Sequence, residues 1–429
     1  MQSEASSERA SAEGPLSRRQ GSGQHTADDI GKSSPVDAIA DARFQSSDTL
    51  LEAAEAEAVS AQPPRKPVRL LKAAAWLALF VVLLALPLYV DAAWLKAGQY
   101  MMVGAVGAIG LTMLVGQAGQ LSLAHAFFIL AGGTGYAVLA GPTDDPRVLG
   151  FGLDPGLAML GAVLITALLG LAFAPVSGRL RGIYLGVASL SLVFLGLYFG
   201  QSADRLTGGT STGRTPAPFE LFGFSFGPGA SELEVLGVPM RQAERTWYLF
   251  LLLTVLALVV ARGAVRGRVG RSWRAVRDNE AAAAVLGVHV ARAKAGAFAV
   301  SSAYAGLAGV MTVLWFDILK PDESEFGSYG INVSIAFLAM VIIGGLGSVT
   351  GALVGALIVN GLPQVLSLYA GELGWFTGTG DGALTPILIS SFVYGAAIIL
   401  VVLFEPGGLA AIGRRITGRR RRKHPGEER

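Results

Sequence analysis

Apolar runs of about the length that crosses a bilayer recur from residue 73 to residue 404, each bounded by a short stretch of Gly, Pro or charged residues. A spanning helix needs about 20 mostly apolar residues. Runs that meet this fall near 73–90, 98–116, 121–140, 156–175, 182–200, 246–261, 292–315, 331–347, 350–370 and 383–404. The pattern predicts an all-α polytopic membrane protein with about ten transmembrane helices. One stretch, "VGQAGQLSLAHAFF", interrupts its runs with Gly and Gln, which predicts a broken or partly re-entrant segment. Such backbone is tolerated at membrane depth only where it is buried in protein or faces water.

Residues 1–68 belong to a different class, rich in Ser, Ala, Asp, Glu, Arg and Gln, with Phe44 as the only aromatic. Too little apolar area is present to offset the entropy of ordering, so a disordered tail is expected. No apolar stretch occurs in the first thirty residues, so this segment does not read as a signal peptide. The membrane domain is placed at 69–412 and a second, basic tail at 413–429. Composition agrees with a bilayer as solvent: 52% of residues are hydrophobic, 15% are charged, and the mean hydropathy is +0.52. With no Cys in the chain, disulfides and thiolate sites are excluded, and His25, His125, His289 and His424 are too scattered to suggest a metal site.

Charge orients the helices, because cytoplasmic loops carry the Lys and Arg excess. With both termini inside, the inner segments from Arg65 onward hold twenty-two basic residues and the outer segments seven. An odd number of spans would break this asymmetry. The scheme makes 201–246 an external loop, whose Gly and Pro content predicts turns, either lining a pocket or simply connecting two helices. Residues 262–291 become a cytoplasmic loop.

That inner loop holds the most unusual string in the chain, "GRSWRAVRDNEAAAAVLGV". Its arginines satisfy the positive-inside rule, but its continuation asks for more. Asp278 or Asn279 can cap a helix, Glu280 sits in its first turn, alanines fill it and Gly287 ends it. Trp273, Val276 and Leu286 offer apolar surface for docking outside the bilayer. Elsewhere, Gln117, Gln120, Ser122 and His125 are polar at or near membrane depth and need partners or a water-filled path. Gly347, Gly351 and Gly355 recur every four residues after Gly344 and Gly345, which predicts close helix packing. No G-x-x-x-x-G-K-[ST] loop occurs, and "TGGTSTGRTP" lacks its lysine, so ATP hydrolysis by the P-loop route is excluded for this chain. No catalytic residue, cofactor or nucleic-acid partner is indicated, which leaves a transport subunit driven by a partner or an ion gradient ahead of a membrane enzyme. A secondary transporter would call for intramembrane carboxylates or an inverted repeat.

The string with Glu280, Ala281, Ala282 and Gly287 is similar to the "EAA" loop of ABC importer permeases, although four residues rather than three separate EAA from Gly and no Leu-Pro follows. Together with "KAGAFAVSSAYAGLAGV", "RGIYLGVASL", "LTGGTSTG", "MVIIGGLGSVTGALVGA" and "LFEPGGLAAI", it resembles the permeases of branched-chain amino acid importers, the LivM type, over about residues 98–412. The resemblance implies a bacterial plasma-membrane subunit that passes Leu, Ile or Val, with a homologous LivH-like second permease, two ABC ATPase subunits and an extracellular or periplasmic substrate-binding protein. Permeases for urea, amides or other amino acids are the nearest alternatives. The same resemblance assigns ATPase coupling to Glu280, Ala281, Ala282 and Gly287, and the charge of Arg271, Arg274 and Arg277 adds them to the coupling set. In that assignment the arginines anchor the loop by lipid headgroups or by carboxylates of the partner.

Overall fold

The computed structural model describes residues 66–180, 182–221, 223–227, 233–235, 238–322, 329–369, 386–404 and 408–411. The expected disorder of 1–68 and the basic end 413–429 therefore fall outside the described residues, apart from 66–68. The chain divides into two compact units, Met1–Leu77 and Ala78–Arg429. The first contributes only the start of one helix to the described residues, and the second holds the rest.

The elements follow the apolar runs: α1 Lys66–Ala85, α2 Ala92–Leu111 continued by a π-helical turn Thr112–Gln117, α3 His125–Leu139, α4 Pro155–Arg179 and α5 Ile183–Ser202. Two short helices, α6 Asp204–Thr207 and α7 Gly209–Thr212, lead to two antiparallel ribbons, β1 Glu220–Leu221 with β2 Phe224–Ser225 and β3 Leu233–Val235 with β4 Val238–Met240. Then come α8 Gln242–Arg266, α9 Arg268–Asp278, α10 Glu280–Val285, α11 Val290–Phe316, α12 Ile331–Gly344, α13 Val349–Tyr369 and α14 Pro386–Phe404. Among the described residues six helices are long and apolar enough to cross a membrane: α2 with its π turn, α4, α5, α8, α11 and α13. Shorter apolar helices cover Ala74–Leu88, α3 and α12.

Packing is inverted relative to a water-soluble bundle. On α4 the buried positions are Ala158, Ala162, Thr166, Gly170, Ala174 and Ser177, while Leu157, Leu160, Leu164 and Leu168 face outward. Small residues let backbones approach closely where lipid, not water, surrounds the bundle. Gly306 of α11 lies directly on Thr166, and Gly170 lies on Ser302. On the other side of α11, Gly132 of α3 meets Gly306 backbone to backbone, and Gly309 meets the Ile129 carbonyl. The centre of the unit is thus α11, wrapped by α2, α3 and α4.

Two expectations are corrected. Helix α8 begins at Gln242 rather than 246, so Glu244 and Arg245 are helical and buried. Arg245 is accommodated because its Nη1 donates to the Ser225 carbonyl at 3.1 Å and its guanidinium lies 5.2 Å over the Phe224 ring. The connection before it is also more structured than a string of turns, with α6, α7 and the two ribbons, and Arg214 pairs backbone to backbone with Leu319. This connection also contains a G-x-S-x-G spacing at residues 209–213, with Ser211 on the exposed four-residue α7 rather than on the strand-to-helix turn that a nucleophile elbow requires.

Candidate coupling and translocation site

Helices α9 and α10 are joined at Asn279, whose backbone is extended. Asp278 closes α9, and Asn279 is the cap of α10: its side chain accepts from the Ala282 amide at 3.0 Å. At the other end Gly287 takes φ +84°. The Gly287 amide donates to Ala284 and the Val288 amide to Ala283. This is a Schellman closure, which needs a residue at ease in the left-handed region. Capped at both ends, six residues hold a helix that propensity alone would not sustain.

Helix α10 buries only Ala283. Ala281, Ala282, Ala284, Val285 and Leu286 are exposed, Val285 at 88% and Leu286 at 79%. Helix α9 does the opposite. Trp273 and Val276 are fully enclosed, so their apolar area docks α9 onto the chain's own body and is not available to a partner. Trp273 belongs to the buried cluster that also contains Ala118, Ala261 and Ala297. Spacing alone cannot distinguish these two uses of an apolar pair, because both place side chains on one helix face.

The arginines of the loop also differ from the headgroup or partner anchors expected of them. Arg274 Nη1 donates to Gln117 Oε1 and to the Val265 carbonyl, both at 3.0 Å. Arg277 Nη1 donates to the Gly116 carbonyl at 2.7 Å, and its Nε donates to Asp278 at 2.9 Å. Arg271, bonded to the Arg266 carbonyl at 3.3 Å, is exposed, and the Arg277 side chain, although bonded inward, keeps 38% of its surface accessible. Glu280 is paired within the chain to Lys294, 2.7 Å away, and Lys294 is itself buried.

These contacts lead to the break between α2 and α3. Gln117 Nε2 donates to the Gly347 carbonyl at 2.6 Å, and Gly116 is pressed against the Gly347 backbone. From Gly119, at φ +69°, to Ala124 the chain is not helical, although much of it is buried. Two of its amides and one at the start of α3 are satisfied by hydroxyls, and the Gln120 amide donates to the Leu114 carbonyl at 3.2 Å. Leu123 donates to Ser189 of α5 at 2.8 Å, Ala124 to Ser122 at 3.3 Å, and Ala126 to Ser334 of α12 at 3.0 Å. Unwound backbone in an apolar bundle needs such partners. Gln120 Nε2 donates to the Lys294 carbonyl at 3.4 Å. His125 starts α3 with its ring 4.7 Å from Phe337 and beside Gly107. Gly107 lies ten residues before Gln117, about 15 Å along α2 at 1.5 Å per residue. Of the four polar candidates, Gln117 and Gln120 thus lie at the loop end of the break, and His125 lies well up the bundle.

Of the glycines, Gly351 and Gly355 of α13 lie against Gly344 and the Met340 carbonyl of α12. Gly347 does not share their helix face. It stands in the turn between the two helices at φ +80°, with Gly345 at φ +107°. Sequence reasoning did not find Lys294, Ser189 or Ser334; a lysine near the start of an apolar helix was the one available signal.

Comparison with known proteins places this arrangement in a family. Residues 98–402 match the model of the branched-chain amino acid transport system permease component. LivM, the high-affinity branched-chain amino acid transport system permease protein of Salmonella typhimurium, is 30% identical over 293 residues, covering 66% of this chain and 66% of LivM. LivM of Escherichia coli is 30% identical over 292 residues, covering 66% and 65%. LivH, another permease protein of that name from Escherichia coli, is 26% identical over 309 residues, covering 70% and 89%. The chain spans slightly less than two thirds of the length of the LivM relatives. No solved structure gives a significant match. The break, the loop at its end and the glycine contacts all lie within the matched residues, and the chain belongs to the family of branched-chain amino acid transport permease components.

Proposed function

We propose that this chain is one of two membrane subunits of a bacterial ABC importer for branched-chain amino acids. In this reading all ten apolar helices span the bilayer, both termini and the 262–291 loop are cytoplasmic, and the 201–246 region is external. A homologous second permease, two ATPase subunits and a substrate-binding protein complete the machine, and ATP is hydrolysed on the ATPases rather than here. The observation that carries the reading is the surface of α10. A doubly capped helix that exposes Ala281, Ala282, Ala284, Val285 and Leu286 while burying only Ala283 is a shape for insertion into another protein's cleft.

The break between α2 and α3 is the proposed translocation element. Helix α3 has 15 residues, about 22 Å against a hydrocarbon core of about 30 Å, so 119–124 makes up the remaining depth without helical structure. Discontinuous helices at mid-depth are a recurrent way to line a path with polar groups. Gln117, Gln120, Ser122 and His125 line it here, and the pair Val285 and Leu286 answers to the ATPase.

The test is reconstitution with all partners into vesicles. Val285→Asp with Leu286→Asp should release the ATPases and lower labelled-leucine uptake by about tenfold or more, the effect of ~1.4 kcal/mol at an interface. Retained ATPase binding with full uptake would sink the docking reading. Uptake of labelled urea but not leucine would move the substrate to the amide class.

A further inference from the structure

We infer that Arg274 and Arg277 are the positioning residues through which motion of α10 reaches the unwound segment 119–124, by way of Gly116, Gln117 and Gly347. The inference rests on α10 being the ATPase docking helix, and it adds where the push goes.

A displaced α10 cannot act through its own packing, since only Ala283 is buried. It is held instead at its first turn, by the Asn279 amide, which donates to the Ala275 carbonyl of α9 at 3.0 Å, and by Glu280 to Lys294. From α9, two guanidinium groups nearly one helical turn apart reach inward. Arg274 bridges the end of α8, at the Val265 carbonyl, to the Gln117 side chain, whose amide nitrogen continues to Gly347 in the α12–α13 turn. Arg277 takes the Gly116 carbonyl and lays its stem over Gly119, where an added Cβ would stand 2.6 Å from Arg277 Cγ. Gly116 lies in the π-helical turn, whose shifted backbone bonding is often found at functional sites. A second route leads from Glu280 to Lys294, whose carbonyl accepts from Gln120. Residues 116, 117, 119 and 120 are therefore all engaged from the loop, just where the helix ends.

The two ends of the unwound segment are held differently. Its loop end is gripped by two arginines, through charge-assisted bonds, while Leu123 and Ala126 rest on the neutral hydroxyls of Ser189 and Ser334. Bonds to an ionised group are about twice as strong as neutral ones. A rigid shift of α9 and α10 therefore carries Gly116 and Gln117 with it and exchanges the serine contacts first. That provides a two-state element biased from one end, which a coupling argument requires.

The absence of Cys in the chain makes the test direct. The variant Leu123→Cys, at a half-buried position in the segment, is labelled with a maleimide in the full reconstituted complex, with and without ATP plus vanadate. The expected result is a labelling rate that differs about fivefold or more between nucleotide states. Arg274→Gln with Arg277→Gln should abolish this difference and the stimulation of ATP hydrolysis by loaded binding protein, while the ATPases stay bound and basal hydrolysis continues. A second variant guards against misfolding of the first: Glu280→Lys should uncouple, and Glu280→Lys with Lys294→Glu should restore nucleotide-dependent labelling. The inference is overturned if labelling of the Leu123→Cys variant ignores nucleotide with both arginines present, or if the double Gln variant keeps full stimulation. Failure of the docking reading looks different, since ATPases would then survive Val285→Asp with Leu286→Asp.

Discussion

At the residue scale the glycines separate into those that permit contact and those that do not. A Cβ on Gly116 would collide with the backbone of Gly347, which has no side chain to swing away, whereas nothing lies within 4 Å of one on Gly178. Gly116→Ala should therefore force the π turn and the α12–α13 turn apart, at a cost of about 1–3 kcal/mol. Gly178→Ala, near the exposed end of α4, should be neutral or stabilise by up to about 1 kcal/mol. Thermal unfolding of the purified chain in detergent compares the two; equal midpoints would show that the Gly116 contact yields freely. Composition alone could not have ranked these positions, because the contact that separates them is with Gly347, distant in sequence. The periodicity of Gly347, Gly351 and Gly355 was legible and only partly meaningful: two of the three face α12, and the first serves a turn that demands positive φ.

At the element scale the apolar runs predict the helices to within a few residues, since length and hydropathy are what a bilayer selects. They fail where a charge hides inside a helix. Glu244 and Arg245 read as loop, and only the ribbon carrying Phe224 and Ser225, distant in sequence, makes their burial tolerable. The candidate site was legible as a loop with caps and as a break with polar residues, but not as one connected object. The bonds joining them span 157 to 230 positions in the chain and involve carbonyls, which no residue type announces. The capped helix α10 offers a prediction of its own. Asn279→Ala removes the side chain that accepts from Ala282 and should cost about 0.5–2 kcal/mol locally. In a six-residue helix that is enough to fray the first turn. Hydrogen exchange across 280–286 should quicken while α11 stays protected; unchanged protection would mean that the ion pair from Glu280 to Lys294 holds the turn by itself.

At the scale of the whole molecule, the proposed orientation rests on how charge is distributed between the two ends of the helices. The basic residues from Arg262 to Lys294 gather around α9 and α10, while Asp144, Asp145, Asp317 and Asp322 belong to connections reached at the opposite ends of their helices. Helix α8 links the two groups: it starts just after the β3–β4 ribbon and ends at α9, and its 25 residues are about 37 Å long, enough to cross the hydrocarbon core. On the proposed topology, the positive-inside rule puts α9 in the cytoplasm and α7 outside. Thr212, exposed at the end of α7, and Ser272, on the outer part of α9, are suitable reporters because neither lies in the apolar contacts that hold the helices together. In a chain without native Cys, Thr212→Cys should react with a membrane-impermeant maleimide on intact cells. Ser272→Cys should react only after the membrane is opened. The ratio matters more than either rate, since local accessibility differs between the two sites. If both react from the same side, α8 does not cross the membrane, and the α9–α10 pair would not face a cytoplasmic ATPase.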